Sequence, residues 1–131
     1  MAALKYPADL KYSKSDEWIR VEGDTATIGI SDYAQDALND LTYVEFQVDK
    51  GSTVSAGDAV AEVESVKASS EIYTPVAGEI VDVNGALKGS EETMNADPYG
   101  KGWLIKLKIT DDSGLSGLMD AAAYQQYCES R

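Results

Sequence analysis

The chain has 131 residues, 44% of them apolar, which is enough for a modest core without metals or disulfides. Eleven basic against 23 acidic residues leave a net charge of −12, which argues against nucleic acid or an anionic membrane as a partner. There is no histidine, so Ser-His-Asp and Cys-His nucleophile systems and histidine metal sites are excluded.

In chain order, Trp18-Ile19-Arg20-Val21 and Thr25-Ala26-Thr27-Ile28 flank Glu22-Gly23-Asp24 and predict a hairpin. Ser31 is placed to cap a short helix over residues 32–38, with Asp32 at its positive end. Val44, Phe46 and Val48 alternate with Glu45 and Gln47 as a half-buried strand, and Lys50-Gly51-Ser52 turns the chain. Residues 59–66 and 70–76 predict two strands that meet around Lys67, the second limited by Pro75. Residues 79–84 predict another strand, stopped at Asn84-Gly85. Residues 86–95 are ambiguous between one helical turn and a loop. After the turn Asp97-Pro98-Tyr99-Gly100, Trp103, Ile105, Leu107 and Ile109 predict a last strand. Asp120 then caps a helix over residues 121–128, with Met119 stapled to Tyr124. Many short strands and few helices indicate a mainly β fold, an antiparallel sandwich or flattened barrel. Residues 1–131 read as a single domain without a linker.

The pattern is nearly symmetrical about Glu64-Ser65-Val66-Lys67-Ala68. Ala56-Gly57-Asp58-Ala59-Val60 precedes it and Ala77-Gly78-Glu79-Ile80-Val81 follows, which suggests two similar halves related by a rough twofold. Lys67 at the tip projects into water, the geometry of an attachment point rather than of a buried reaction centre. No Gly-rich phosphate loop precedes a helix, and the carboxylates are scattered. An enzyme resting on this chain alone is therefore not expected. The lone cysteine, Cys128, forbids an internal disulfide and suits a reducing compartment, where it reads as a bystander. No run reaches transmembrane length, and residues 1–10 lack a signal or transit pattern. The expected location is cytoplasmic, or the mitochondrial matrix for a processed organellar protein.

Several of these motifs together resemble the glycine cleavage H-protein family. They are Val63-Glu64-Ser65-Val66-Lys67-Ala68, Pro75 to Asn84, Ile28-Gly29-Ile30-Ser31-Asp32-Tyr33-Ala34-Gln35, Asn95-Ala96-Asp97-Pro98-Tyr99 and Gly102-Trp103-Leu104-Ile105-Lys106. The resemblance runs from about Tyr12 to Tyr124. It implies the lipoyl/biotinyl carrier fold, a sandwich-barrel hybrid with a short internal helix and a C-terminal helix. It also implies lipoic acid on Lys67 as an amide, with Glu64 and Gly78 read by the lipoylating enzyme, the glycine fixing a turn. Ser15, Glu17 and Glu71 match a cleft in which the aminomethyl-loaded arm rests.

The implied function is a shuttle between three enzymes: a pyridoxal-phosphate glycine decarboxylase, a tetrahydrofolate-dependent aminomethyltransferase and dihydrolipoyl dehydrogenase. A lipoate ligase or lipoyl transferase is the implied modifying partner. Two positions depart from the family: Asp16 stands where histidine is usual, and Asn39 where glycine is usual. Biotinyl carriers are disfavoured because Val66 and Ala68, not methionines, flank the lysine. Lipoyl domains of 2-oxo acid dehydrogenases are disfavoured because the preceding residue is not aspartate and no linker follows. The alternatives are an H-like protein that donates or relays lipoyl groups, and an unmodified interaction module.

Overall fold

The computed structural model describes residues 4–131. Among the described residues nine strands form two antiparallel sheets that pack on one another without closing into a barrel. The six-stranded sheet has the order β1-β2-β3-β9-β8-β5. Its strands are β1 (Lys11–Tyr12), β2 (Glu17–Glu22), β3 (Thr25–Ile30), β5 (Thr53–Val54), β8 (Ala77–Val83) and β9 (Ile105–Asp111). The three-stranded sheet has the order β4-β6-β7, from β4 (Leu41–Phe46), β6 (Ala59–Ser65) and β7 (Ser69–Tyr73). The helices are α1 (Asp32–Leu38), α2 (Thr93–Ala96) and α3 (Ala121–Glu129).

The expected hairpin at Gly23 forms, with φ of 64° at the glycine. Both anticipated caps also form: Ser31 Oγ accepts from the Ala34 N–H at 3.1 Å, and Asp120 Oδ1 from the Ala123 N–H at 2.8 Å. Each carries one N–H that the first helical turn leaves unpaired. The ambiguous stretch resolves into a 3-10 turn over Gly85–Leu87 followed by α2.

Alternation sets the core. Val44, Val63 and Ile72 of the small sheet and Ile28, Ile80, Ile105 and Leu107 of the large one belong to one buried cluster between the sheets. A second cluster lies at one end, where Tyr12 and Tyr124 stack at 4.6 Å and Trp18, Leu10 and Cys128 are buried with them. Met119 packs against this cluster as the staple predicts, and Cys128 is one of its apolar fillers. Among the described residues no helix is long and apolar enough to cross a membrane.

Two expectations are corrected. The last strand begins at Ile105, so Trp103 lies outside it and stacks instead under Lys106 Nζ, 4.6 Å from the ring centroid. Gly78 is not a turn residue. It lies inside β8, opposite Val54 and Ile109, without left-handed φ. A side chain there would collide with the Lys108 carbonyl and the Leu107 methyl, so close backbone approach, not turn geometry, demands glycine. Its sequence counterpart Gly57 does have left-handed φ, at 91°. The two glycines that flank the lysine thus do different work.

Candidate functional site

Strands β6 and β7 pair from Ala59↔Tyr73 to Glu64↔Ser69, so Val66 and Lys67 are the hairpin's tip. Neither adopts the left-handed φ that tight two-residue hairpins usually need. The Ser65 side chain completes the turn instead: Ser65 N–H donates to the Ala68 carbonyl at 2.8 Å, and Ala68 N–H donates to Ser65 Oγ at 3.2 Å. The hydroxyl thereby takes an N–H the ladder cannot reach. Lys67 is exposed, and Val66 beside it is 91% exposed. The tip thus presents both side chains at the surface.

Behind the tip, the small sheet carries a row of carboxylates on its outer face. Glu45 pairs across with Glu62, and Glu62 with Glu71, while the intervening Val44, Val63 and Ile72 point inward. Partial burial, then the charges of Glu64, Glu71 and Glu45, push the Glu62 carboxyl above its ordinary range. Like charges directly opposite one another cost a sheet stability. Glu64 is half-buried on the same strand, opposite Ser69 and Tyr43.

The three positions matched to an arm cleft have unequal settings. Ser15 is exposed, but Glu17 is only 2% exposed. Glu17 Oε1 accepts from the Ser13 and Ser15 hydroxyls, the latter at 2.6 Å, and Oε2 accepts from the Tyr73 N–H at 3.1 Å. Tyr73 ends β7, an edge strand, so this carboxylate takes an N–H that the ladder leaves free and ties the large sheet to the lysine hairpin. Burial pushes the Glu17 carboxyl up, against the opposing pull of Ser13, Ser15 and Tyr73. Glu71 Oε2 is buried with no hydrogen-bond partner among the described residues. An orphaned carboxylate oxygen is costly unless a donor arrives.

Asp16 belongs to a separate network. It has a φ of 76°, accepts from Tyr124 Oη at 2.8 Å, and meets the Arg131 guanidinium at 2.6 and 3.1 Å. Because Tyr124 gives its proton to Asp16, Ser31 Oγ donates to Tyr124 at 2.6 Å while it caps α1. Asp16 therefore points at the C-terminal helix, and its charge is paired there.

Asn39 joins the lysine region, a contact that sequence spacing did not suggest. With its amide turned as its neighbours require, Oδ1 accepts from Lys67 Nζ at 2.9 Å. A groove of about 190 Å³ lies there, lined by Leu38, Asn39, Asp40, Ser65, Val66 and Lys67. Ser15, Glu17 and Glu71 do not line it. Among the described residues no group of three or more carboxylates or thiols gathers as a metal site.

A two-sheet fold that presents one lysine at the tip of a braced hairpin has the architecture of a carrier. The chain matches the family model described as "Glycine cleavage H-protein" over residues 10–131. It belongs to that family. It is 54% identical to the glycine cleavage system H protein of Thermus thermophilus over 127 residues, covering 97% of this chain and 98% of that one. With the H protein of Escherichia coli it shares 52% over 124 residues, 94% and 95% of the two chains. A crystal structure of the H protein from Mycobacterium marinum superposes with a TM-score of 0.84 at 37% identity, over 92% of this chain and 97% of that one.

Proposed function

We propose that this protein is the lipoyl-lysine carrier of a glycine cleavage system, with lipoic acid bound as an amide to Lys67. The observation that carries it is the exposed Lys67 at the tip of a hairpin braced by Ser65, in a chain that matches the family over nearly its whole length. When attached, the lipoyl disulfide supplies the exchange and redox chemistry, carrying the aminomethyl group of glycine from a decarboxylase to a tetrahydrofolate-dependent aminomethyltransferase and electrons to dihydrolipoyl dehydrogenase. The chain's own part is position and local concentration; it catalyses no step itself.

Its residues fit that part. Lys67 offers a primary amine to a modifying ligase or transferase, with Val66 in water beside it as an apolar handle. Glu64 and Gly78 are what that enzyme reads: the first sits near the tip, and the second keeps β8 tight against β9. The acidic face formed by Glu45, Glu62 and Glu71 suits partners with basic approaches to their active sites.

Ser15, Glu17 and Glu71 receive the loaded arm. Glu71 offers a buried oxygen that lacks a donor, and the protonated amine of the cargo supplies one. Ser15 is open to solvent and is held from behind by Glu17, so Glu17 acts chiefly by orienting that hydroxyl. The test is reconstitution. Lipoylated protein should support glycine cleavage with the three partner enzymes, and Lys67→Ala should support none while melting as wild type does. Cleavage sustained by Lys67→Ala would refute the assignment, and lipoyl transfer to other enzymes without glycine cleavage would favour a relay protein instead.

A further inference from the structure

Asn39 lies between α1 and β4 with φ 65° and ψ −150°. Asparagine is at home in the left-handed helical region, where ψ is about +47°. This backbone is outside it, in territory that glycine alone occupies freely. The main-chain bonds made there need no side chain. The Asn39 N–H donates to the Gln35 carbonyl at 3.0 Å, and its carbonyl accepts from Asn95 Nδ2 at 2.8 Å. A glycine would keep both bonds and remove the strain. What asparagine adds is its amide, which donates to the Asp36 carbonyl at 3.3 Å and accepts from Lys67 Nζ at 2.9 Å.

We infer that Asn39 is a positioning residue for Lys67, holding Nζ against the α1–β4 loop both before and after the lysine is acylated. The second half rests on Lys67 being the lipoyl attachment point. In that acylation the lysine nitrogen forms a bond to the activated carboxyl carbon, the bond from that carbon to its activating group breaks, and the group leaves with the amine's proton. One N–H stays on Nζ. A neutral carbonyl oxygen serves an ammonium and an amide N–H alike. An aspartate here would favour the charged lysine and oppose its loss. Anchoring the arm at its first nitrogen fixes the root of its swing beside the groove, while the methylenes and ring beyond stay free.

The test uses the full chain with lysine labelled at 13Cε and 15Nζ, as wild type and as Asn39→Gly. Because glycine accepts this backbone, Asn39→Gly should melt at or above the wild-type temperature. In unmodified wild type, the Lys67 side chain should be more ordered by NMR relaxation than the exposed Lys50 and Lys88, and Asn39→Gly should remove that difference. In lipoylated protein, confirmed by mass, the Nζ amide proton should exchange about fivefold more slowly in wild type than in Asn39→Gly, the factor for a net bond of about 1 kcal/mol. Lys67 as mobile as the other lysines in wild type would overturn the contact. A less stable Asn39→Gly with unchanged Lys67 mobility would make Asn39 merely structural and overturn the proposal. Equal amide exchange would overturn its second half. If Lys67 cannot be lipoylated, the carrier assignment fails, and the unmodified protein still decides the contact by itself.

Discussion

Glu17 is a buried carboxylate with three donors, so two effects of opposite sign compete over its charge. Charge-assisted bonds from Ser13, Ser15 and Tyr73 favour the anion, while burial favours the neutral acid. Burial wins: the carboxyl's folded value lies above the ordinary 4.5. The folded state therefore binds the proton more readily than the unfolded chain. Stability from this group is fully present below pH 4.5 and is lost as pH rises through the folded value. Glu17→Gln removes that titration. Its carbonyl still accepts from Tyr73 N–H, and its NH2 donates to serine hydroxyls that turn to accept. In urea unfolding from pH 4 to 8, wild type should lose stability relative to Glu17→Gln as pH rises. Glu17→Ala should be less stable than both, because it strands the Tyr73 N–H at a cost of about 1–3 kcal/mol. If wild type instead gains on Glu17→Gln with rising pH, by the 1.5–3 kcal/mol of a typical charged bond, the donors outweigh burial and the ranking above is wrong.

Gly78→Val should lower thermal stability by about 1–3 kcal/mol or more, because the collision is with the Lys108 backbone of a paired strand; an unchanged melting temperature would remove the close-approach argument. Arg131→Ala should cost about 1–2 kcal/mol, from the part-exposed pair with Asp16 and the stacking on Tyr33 and Tyr127, and that cost should shrink when melting is repeated in high salt. Glu71→Gln should be lipoylated and reduced normally, yet its aminomethyl-loaded form should release formaldehyde faster, through docking weakened by about 1–3 kcal/mol. Equal release rates, followed after the decarboxylase is removed, would take Glu71 out of the cleft.

Local features were legible in the sequence because local chemistry causes them. Ser31 and Asp120 cap helices with their own oxygens, Gly23 accepts a left-handed turn, and the alternation on either side of Lys67 makes a hairpin whichever sheet receives it. Contacts between distant residues were not legible. Nothing in the spacing says that Glu17 reaches the Tyr73 N–H or that Asn39 reaches Lys67, since each depends on how one sheet lies on the other. The near-repeat around Gly57 and Gly78 suggested matching turns. Gly57 precedes β6 of the smaller sheet, whereas Gly78 lies within β8 of the larger, so the same residue type meets a loop in one place and a packed strand in the other. In the sequence, Asp16 and Asn39 stand out only through the resemblance, which implies histidine and glycine at these positions. Their left-handed φ and their partners, Arg131 and Lys67, give those departures a physical content.

The central claim is that Lys67 carries a lipoyl group. Intact mass of the protein isolated from its native source, followed by peptide mapping, tests it most directly. One lipoyl group per chain, located on Lys67 and absent from Lys67→Ala expressed in the same cells, is the expected result. An unmodified Lys67 in cells whose other lipoyl proteins are modified, or a lipoyl group on a different lysine, would contradict it.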